Sequence, residues 1–261
     1  MKNLSILFFL FAFAVSCKSD NDDDNQPSAN IKKVKTIRVI ENSNMPNESI
    51  VDKTITFSYD GNNIKNLNFK RKESSSSSDI IFSYVNSKLD RVNFSSNGNS
   101  YLKLNYTNDK VTSINYYKIP GYNTDALYKL SYNGNQLSKI EYTGTNRNFV
   151  FNLSYNGENV NSINNNTISY DSKYNAFAGI DFVQQLILAL ISGDETGEFN
   201  TFSYYNYGTV FGKNNVLGYK KYGINFIVSN IYEGEFIKKI NLSYLKQNGY
   251  TTETSFEYTY E

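Results

Sequence analysis

The chain reads as an all-β protein: an antiparallel meander of about 14–16 strands built from repeated β-hairpins, curled or barrel-like, with one short apolar helix (about 181–191) packed on its apolar face. Three observations predict it. The residues ahead of recurrent tyrosines alternate apolar and polar. Short Asn- and Gly-containing separators recur between such stretches. A fixed Tyr-centred spacing runs through most of the chain.

The N-terminal segment is set apart. Lys2 supplies a positive start, and Leu4 to Val15 form an apolar run too short to cross a bilayer, so residues 1–16 read as a signal peptide. Small residues then precede a cysteine in Ala14-Val15-Ser16-Cys17, a pattern that resembles a bacterial lipobox with Ala14 where Leu is usual. The resemblance implies cleavage before Cys17 and lipidation of that residue, which is the only cysteine in the chain. Several acyl chains, at roughly 0.8 kcal/mol per buried CH₂, hold a protein on a membrane. The next residues include Lys18, Ser19, Asp20, Asp22, Asp23 and Asp24. They resemble the export signal of Bacteroidetes surface lipoproteins, which implies transfer to the outer face of the outer membrane; a periplasm-facing anchor is the alternative. As a calcium loop the acidic run lacks the required Gly and distal Glu. Residues 17–30 therefore read as a lipidated acidic tether and 31–261 as a single β-hairpin-repeat domain.

The repeat itself is countable. From Tyr59, steps of five, three and two residues reach Ile64, Leu67 and Phe69. The same steps from Tyr84 reach Leu89, Val92 and Phe94; from Tyr106, Val111, Ile114 and Tyr116; from Tyr132, Leu137, Ile140 and Tyr142; from Tyr232, Ile237, Ile240 and Leu242. From Tyr155 they reach Val160 and Ile163 and then fail at Asn165. Before the tyrosines, Ile55, Phe57 and Tyr59 alternate with Thr54, Thr56 and Ser58, as Leu102, Leu104 and Tyr106 do with Lys103 and Asn105. Period two with one apolar face is a half-buried antiparallel strand. Asp60-Gly61-Asn62, Asn133-Gly134-Asn135 and Asn156-Gly157-Glu158 supply hairpin turns.

Longer connections lie at the other ends of the strands. Ser74 to Ser78 reads as an exposed, mobile tip, and Ile119 to Asn123 as a longer loop. The sheet therefore has two unequal rims, and ligands are to be sought at the rim with the longer loops. Asp181 to Ile191 breaks the β pattern. Asp181 suits an N-cap and Ser192-Gly193 a stop; a strand pair is the alternative. A segment apolar on most sides must be buried, and the one-faced sheet needs a partner for its apolar face.

The unit Tyr-Asn-Gly-Asn-x-Leu-x-x-Ile at Tyr132 to Ile140 is similar to YD/RHS-type repeats, whose Tyr-Asp pair survives at Tyr59-Asp60 and Tyr170-Asp171. The chain more closely resembles a Bacteroidetes lipoprotein family of unknown function with a porin-like β fold. The lipobox, the Tyr-centred hairpins, the Ile168 to Asn175 segment and the closing Phe256-Glu257-Tyr258-Thr259-Tyr260 carry that likeness. The family has no assigned activity, so the likeness implies fold and location. A membrane-spanning barrel is not expected, because the apolar stretches are mostly shorter than the roughly 9–11 residues a transmembrane strand needs.

Composition limits the chemistry. There is no His, so imidazole triads and imidazole metal sites are excluded; one Cys excludes an internal disulfide and a cysteine zinc cluster. A net charge of +1 gives no reason to expect nucleic acid. Gly208 and Gly212 make no phosphate loop, and no cofactor or metal is expected. Asp194, Glu195 and Glu198 are the carboxylates for an alternative reading as a glycan hydrolase. The favoured reading is a non-enzymatic cell-surface binding or scaffold module for glycan, peptide or a protein partner; a purely structural envelope protein is the other alternative. Tyr117, Tyr122, Tyr204, Tyr205 and Tyr207 are the binding candidates. Consecutive tyrosines on a strand point to opposite faces, so one of each pair leaves the core.

Overall fold

The computed structural model describes residues 32–43, 50–95, 100–117, 126–144, 148–191, 212–221, 224–245 and 249–261. The strands are β1 (Val34–Ser43), β2 (Val51–Asp60), β3 (Asn63–Arg71), β4 (Ser77–Val85), β5 (Lys88–Phe94), β6 (Tyr101–Thr107), β7 (Lys110–Tyr117) and β8 (Ala126–Asn133). They continue as β9 (Gln136–Thr143), β10 (Asn148–Asn156), β11 (Asn159–Ile163), β12 (Asn166–Tyr174), β13 (Asn214–Lys221), β14 (Ile224–Glu233), β15 (Phe236–Leu245) and β16 (Thr251–Tyr260). All sixteen pair antiparallel in chain order, and β16 pairs with β1 to close the barrel.

The step pattern of the sequence has a structural cause. In β2–β3, Ser58 pairs with Asn66 but Tyr59 pairs with Ile64, so Lys65 is an extra residue opposite the Ser58–Tyr59 step. The same shift falls immediately before Tyr84, Tyr106, Tyr132, Tyr155 and Tyr232. Each hairpin thus carries a β-bulge at its Tyr. The bulge is why the inward residues Ile64 and Leu67 stand three apart where a regular strand demands two. The intervening turns are two residues long. Gly61 and Gly134 have φ of 56° and 57° at the first turn position, the mark of a II′ turn; Asn108 and Asp109, with φ of 49° and 64°, form a I′ turn. Asn165, where the repeat fails, is in another such turn with Asn164 and joins the short β11 to β12.

Tyrosines at the register shifts cross to the neighbouring hairpin. Tyr59 Oη donates to Val34 O at 2.9 Å, Tyr84 to Ile64 O at 2.9 Å, Tyr106 to Leu89 O at 2.7 Å and Tyr132 to Val111 O at 2.9 Å. Tyr170 donates to Val160 O and Tyr260 to Ile237 O, both at 2.7 Å. A second latch runs alongside: Lys110 Nζ and Gln136 Nε2 donate to the turn carbonyls Gly134 O and Gly157 O of the next hairpin. Lys88 and Lys110 also lie over the rings of Tyr106 and Tyr132.

The barrel points its apolar side chains inward. Ile37, Ile55, Ile64, Leu67, Ile80, Ile114, Leu137 and Phe256 are fully buried inside. Thr36, Arg38, Thr54, Thr56, Asn66, Asn68, Lys103, Asn105, Lys129, Lys139 and Glu257 stand on the outward register. Apolar exceptions on the outside, such as Ile227 (66% exposed) and Ile81 (46%), are scattered. Strand length does not separate this barrel from a membrane barrel, since β1, β2, β14, β15 and β16 reach ten residues. Side-chain direction does separate them. A lipid-facing wall is apolar around a polar lumen, and here the two are exchanged.

Helix α1 (Phe182–Ile191) lies inside, with Leu186 to Ile191 buried in the core formed by the inward strand residues. Asp181 caps it, its Oδ1 accepting from Gln184 N at 3.0 Å. Gln184 is buried and ties the helix to the first hairpin: Oε1 accepts from Ile64 N at 2.8 Å, while Nε2 donates to Asp181 Oδ2 at 2.9 Å and to Asn63 Oδ1 at 3.3 Å. At the other end Leu190 and Ile191 face Phe94, Leu102, Tyr116, Ala126 and Tyr128 around a void of about 30 Å³. The helix therefore runs through the lumen from the short-turn rim towards the long-loop rim. The Ser192-Gly193 stop lies outside the described residues.

Tyr132→Phe keeps the ring and deletes one latch. A loss of about 0.5–1.5 kcal/mol in urea denaturation is expected, and no loss would mean the hydroxyl bond contributes nothing. Burial pushes the Tyr132 and Tyr155 phenols up to about 12. It also raises those of Tyr59, Tyr84, Tyr106, Tyr170, Tyr232 and Tyr260. Unfolded tyrosine ionises near pH ~10. The folded state therefore holds these protons more tightly, and their contribution is intact below that pH and is lost as pH rises towards and past 12. The melting temperature should fall steeply from about pH 10 upward, and a flat profile to pH ~12 would contradict the ladder.

Candidate functional site

Two surfaces at the long-loop rim carry recognisable chemistry. The first is on the outer wall of β5–β7. Tyr116 turns into the core, and Tyr117 faces out, as expected of consecutive strand residues. Tyr117 is directly opposite Tyr101, with ring centroids 4.7 Å apart and planes at 21°. The Arg91 guanidinium lies over Tyr101 at 3.5 Å from the ring centre. Asn115 Nδ2 donates to Tyr117 Oη at 3.2 Å. Arg91 Nε is buried and has no hydrogen-bond acceptor among the described residues. Tyr117, Tyr101 and Arg91 thus form a flat stack flanked by amides and by the Lys103–Asp90 ion pair. Planar rings with adjacent hydrogen-bonding groups are the chemistry that receives a sugar face or an extended peptide. The cross-strand stack also stabilises the sheet, so the same pair serves both ends.

The second surface is a cleft of about 260 Å³ at the mouth of the barrel, lined by Lys53, Phe69, Lys70, Arg71, Ser74, Ser76 and Ser78. Lys53 continues the inward register of Ile55 and Phe57, and Arg71 that of Leu67 and Phe69; the two are direct cross-strand partners. Lys53 is 9% exposed. The serine run is not a loose tip. Ser74 N donates to Arg71 O at 3.2 Å, Ser76 N donates to Ser74 Oγ at 3.1 Å, and Ser77 and Ser78 belong to β4.

The opposite, short-turn rim holds a third polar group. Asp171 Oδ2 accepts from Tyr232 Oη and from Asn230 Nδ2, and Asn215 Nδ2 donates to Tyr174 O at 2.7 Å and to Tyr232 Oη at 3.2 Å. Burial and the Asp171 carboxylate together raise the Tyr232 phenol. The β12–β13 pairing is irregular between Tyr170 and Tyr174, and these side chains satisfy backbone groups the ladder leaves open. The cluster is structural.

Tyr122, Tyr204, Tyr205 and Tyr207 lie outside the described residues, as do the carboxylates Asp194, Glu195 and Glu198 and the whole segment holding Cys17, Lys18, Ser19, Asp20, Asp22, Asp23 and Asp24. Among the described residues no group of three acidic side chains could hold a metal ion. Sequence reasoning found Tyr117 but missed Tyr101, Arg91, Lys53 and Arg71. Lys53 was legible, since the alternation that puts Ile55 inside puts Lys53 there too. Arg71 needed the register.

No protein-family model matches the chain, and no curated protein does. Among solved structures, the barrel is similar to a porin-like protein from Bacteroides uniformis ATCC 8492. The two share 13% sequence identity, and the match covers 87% of this chain and 96% of that one, with a TM-score of 0.58. A porin-like protein from Bacteroides vulgatus ATCC 8482 aligns at 14% identity over 88% of this chain and 99% of that one, with a TM-score of 0.39. The first likeness is one of fold: this is a porin-like β-barrel.

In a double-mutant cycle, Tyr101→Ala and Tyr117→Ala should show a coupling of about 0.5–1.5 kcal/mol in thermal or urea unfolding. Additive effects would show that the rings do not act as a stack.

Proposed function

We propose that this chain is an exported lipoprotein, anchored through Cys17 to the outer membrane and exposed at the cell surface, and that its barrel is a non-enzymatic binding or scaffold module. The observation that carries the reading is the exchanged polarity of the barrel. A polar outer wall belongs in water, and a lumen filled by α1 and apolar side chains is not a conduit. A barrel of this kind reaches a membrane only through an added anchor, which the lipobox Ala14-Val15-Ser16-Cys17 supplies.

In this reading residues 1–16 are removed, 17–30 form the tether, and 31–261 form the displayed domain. The described chain begins at Lys32 and Lys33, beside the short-turn rim, where Lys33 Nζ donates to Gly61 O. The aromatic stack at the long-loop rim favours a glycan or peptide ligand over a purely structural role. The likeness to the Bacteroidetes lipoprotein family and its acidic export signal supports the surface location.

Cys17→Ala should abolish incorporation of labelled palmitate and move the protein out of the membrane fraction. Protease added to intact cells should degrade the wild-type protein, and full protection would overturn the surface placement. On a glycan and peptide array, residues 31–261 should retain a ligand that the Tyr101→Ala/Tyr117→Ala double variant releases. No hit would count against the binding role.

A further inference from the structure

The cleft at the mouth between β2, β3 and β4 points to a ligand chemistry that the aromatic stack alone does not. Lys53 and Arg71 are direct cross-strand partners on the inner face. Like charges so placed repel, and the Lys53 side chain lies largely within the wall of the mouth. Ser74, Ser76 and Ser78 add hydroxyls to the lining, whereas Lys70, opposite Thr54, stands on the outward register. Among the described residues no carboxylate lines the cleft.

Most of the nearby acids are turned elsewhere. Asp52 lies on the outer face, where it accepts from Arg38 Nε and Nη2 at 3.0 and 2.8 Å and pairs with Lys72. Asp79, also outward, accepts from Asn66 and Asn68, each at 2.9 Å. Glu73 is exposed on the turn after β3. Glu41, opposite Val51, is the carboxylate on the inward register of β1, diagonal to Lys53. Lys70 and Arg71 form no ion pair among the described residues.

We propose that this cleft holds a phosphate or sulfate monoester group carried by a sugar-sized ligand, with Lys53 and Arg71 on its oxygens. A carboxylate offers two oxygens to this many donors. A tetrahedral monoester offers three, enough to engage an Arg fork, an ammonium and serine hydroxyls together. The site faces into the mouth, beside the inward ring of Phe69. That ring gives the sugar carbons an apolar surface while the charged group sits at the basic end. The proposal rests on the rim being a binding surface and adds the charge of what it binds.

The test is a calorimetric titration of residues 31–261, a unit that closes its own barrel through β1 and β16, with glucose 6-phosphate, glucose 6-sulfate, inorganic phosphate and glucose. Both esters should bind, more tightly than inorganic phosphate, and glucose should not. Added salt should weaken the binding. Arg71→Gln, at an exposed position, should lower affinity about tenfold or more with unchanged circular dichroism. Lys53→Met should do the same where its spectrum shows a folded barrel. Esters that bind no better than glucose, or whose binding ignores Arg71→Gln, would overturn the proposal. Inorganic phosphate binding as tightly as the esters would overturn the sugar-borne part of it. A neutral glycan held through Tyr101 and Tyr117 but insensitive to Arg71→Gln would refute the anion site alone. Ester binding that tracks Arg71 while the aromatic double variant behaves as wild type would refute the stack alone.

Discussion

A closed barrel whose apolar side chains mostly face inward has to be filled, and the rest of this structure follows from that requirement. Sixteen strands enclose more space than their own side chains occupy, because barrel width grows with strand number. The chain meets the demand with large inward residues at both ends and a buried helix between them. Tyr59, Tyr84, Tyr106 and Tyr132 ring the short-turn end; Phe94, Tyr116, Tyr128, Tyr142, Tyr219 and Phe226 ring the loop end. Tyr142 stacks on Phe149 and Tyr219 on Phe226 at 4.4 and 4.7 Å between ring centres. Membrane barrels carry aromatic girdles on the outside at both ends. This barrel carries its girdles on the inside. The high aromatic content is thus a consequence of closure around an apolar lumen.

Filling with aromatics brings a polar problem, and the bulges solve it. Each bulge interrupts the ladder beside a tyrosine and leaves a carbonyl that a neighbouring phenol can reach. Ile64 shows both halves of the arrangement: its carbonyl accepts from Tyr84 and its amide donates to Gln184 of the plug. The lost ladder bonds are replaced by contacts between successive hairpins, and in the first hairpin by a contact to the helix. Local irregularity therefore becomes long-range coupling. Burial that raises the phenol pKa values is the same burial that makes each hydroxyl bond matter, since an unpaired phenol inside would carry a desolvation cost.

Much of this was legible in the chain. Alternation at Ile55, Phe57 and Tyr59 gave strands and their faces, and Asp181 with the apolar run after it gave the helix and its burial. The step of three between Ile64 and Leu67 was visible as spacing, but its meaning was not. Without a partner register, a step of three in a period-two pattern does not distinguish a bulge from a change of face. The phenol latches were invisible for the same reason: the acceptor of Tyr84 lies twenty residues back, on a neighbouring hairpin. At the rim, Tyr117 could be picked out because it follows Tyr116, whereas Tyr101 has no aromatic neighbour in sequence and meets Tyr117 only through pairing. The charge pair at the mouth failed to register because charged residues are read as solvated by default. That default is right for Arg38 and Lys129 on the outer face and wrong for Lys53.

The two rims answer different needs, and the loops record it. At the short-turn rim many of the carbonyls at bulges and turns accept from a Tyr, Lys or Gln of the adjacent hairpin, so insertions there would break latches. Among the described residues no comparable ladder operates at the other rim, and connections range from the serine turn after β3 to the long link after β7. Freedom to vary length is freedom to acquire contacts. The charged cleft and the outward aromatic stack both sit at that rim, and the chain enters the barrel at the opposite one. A rigid, filled barrel suits that division, because the latched end holds the hairpins in register and the other end leaves side chains free to face solvent.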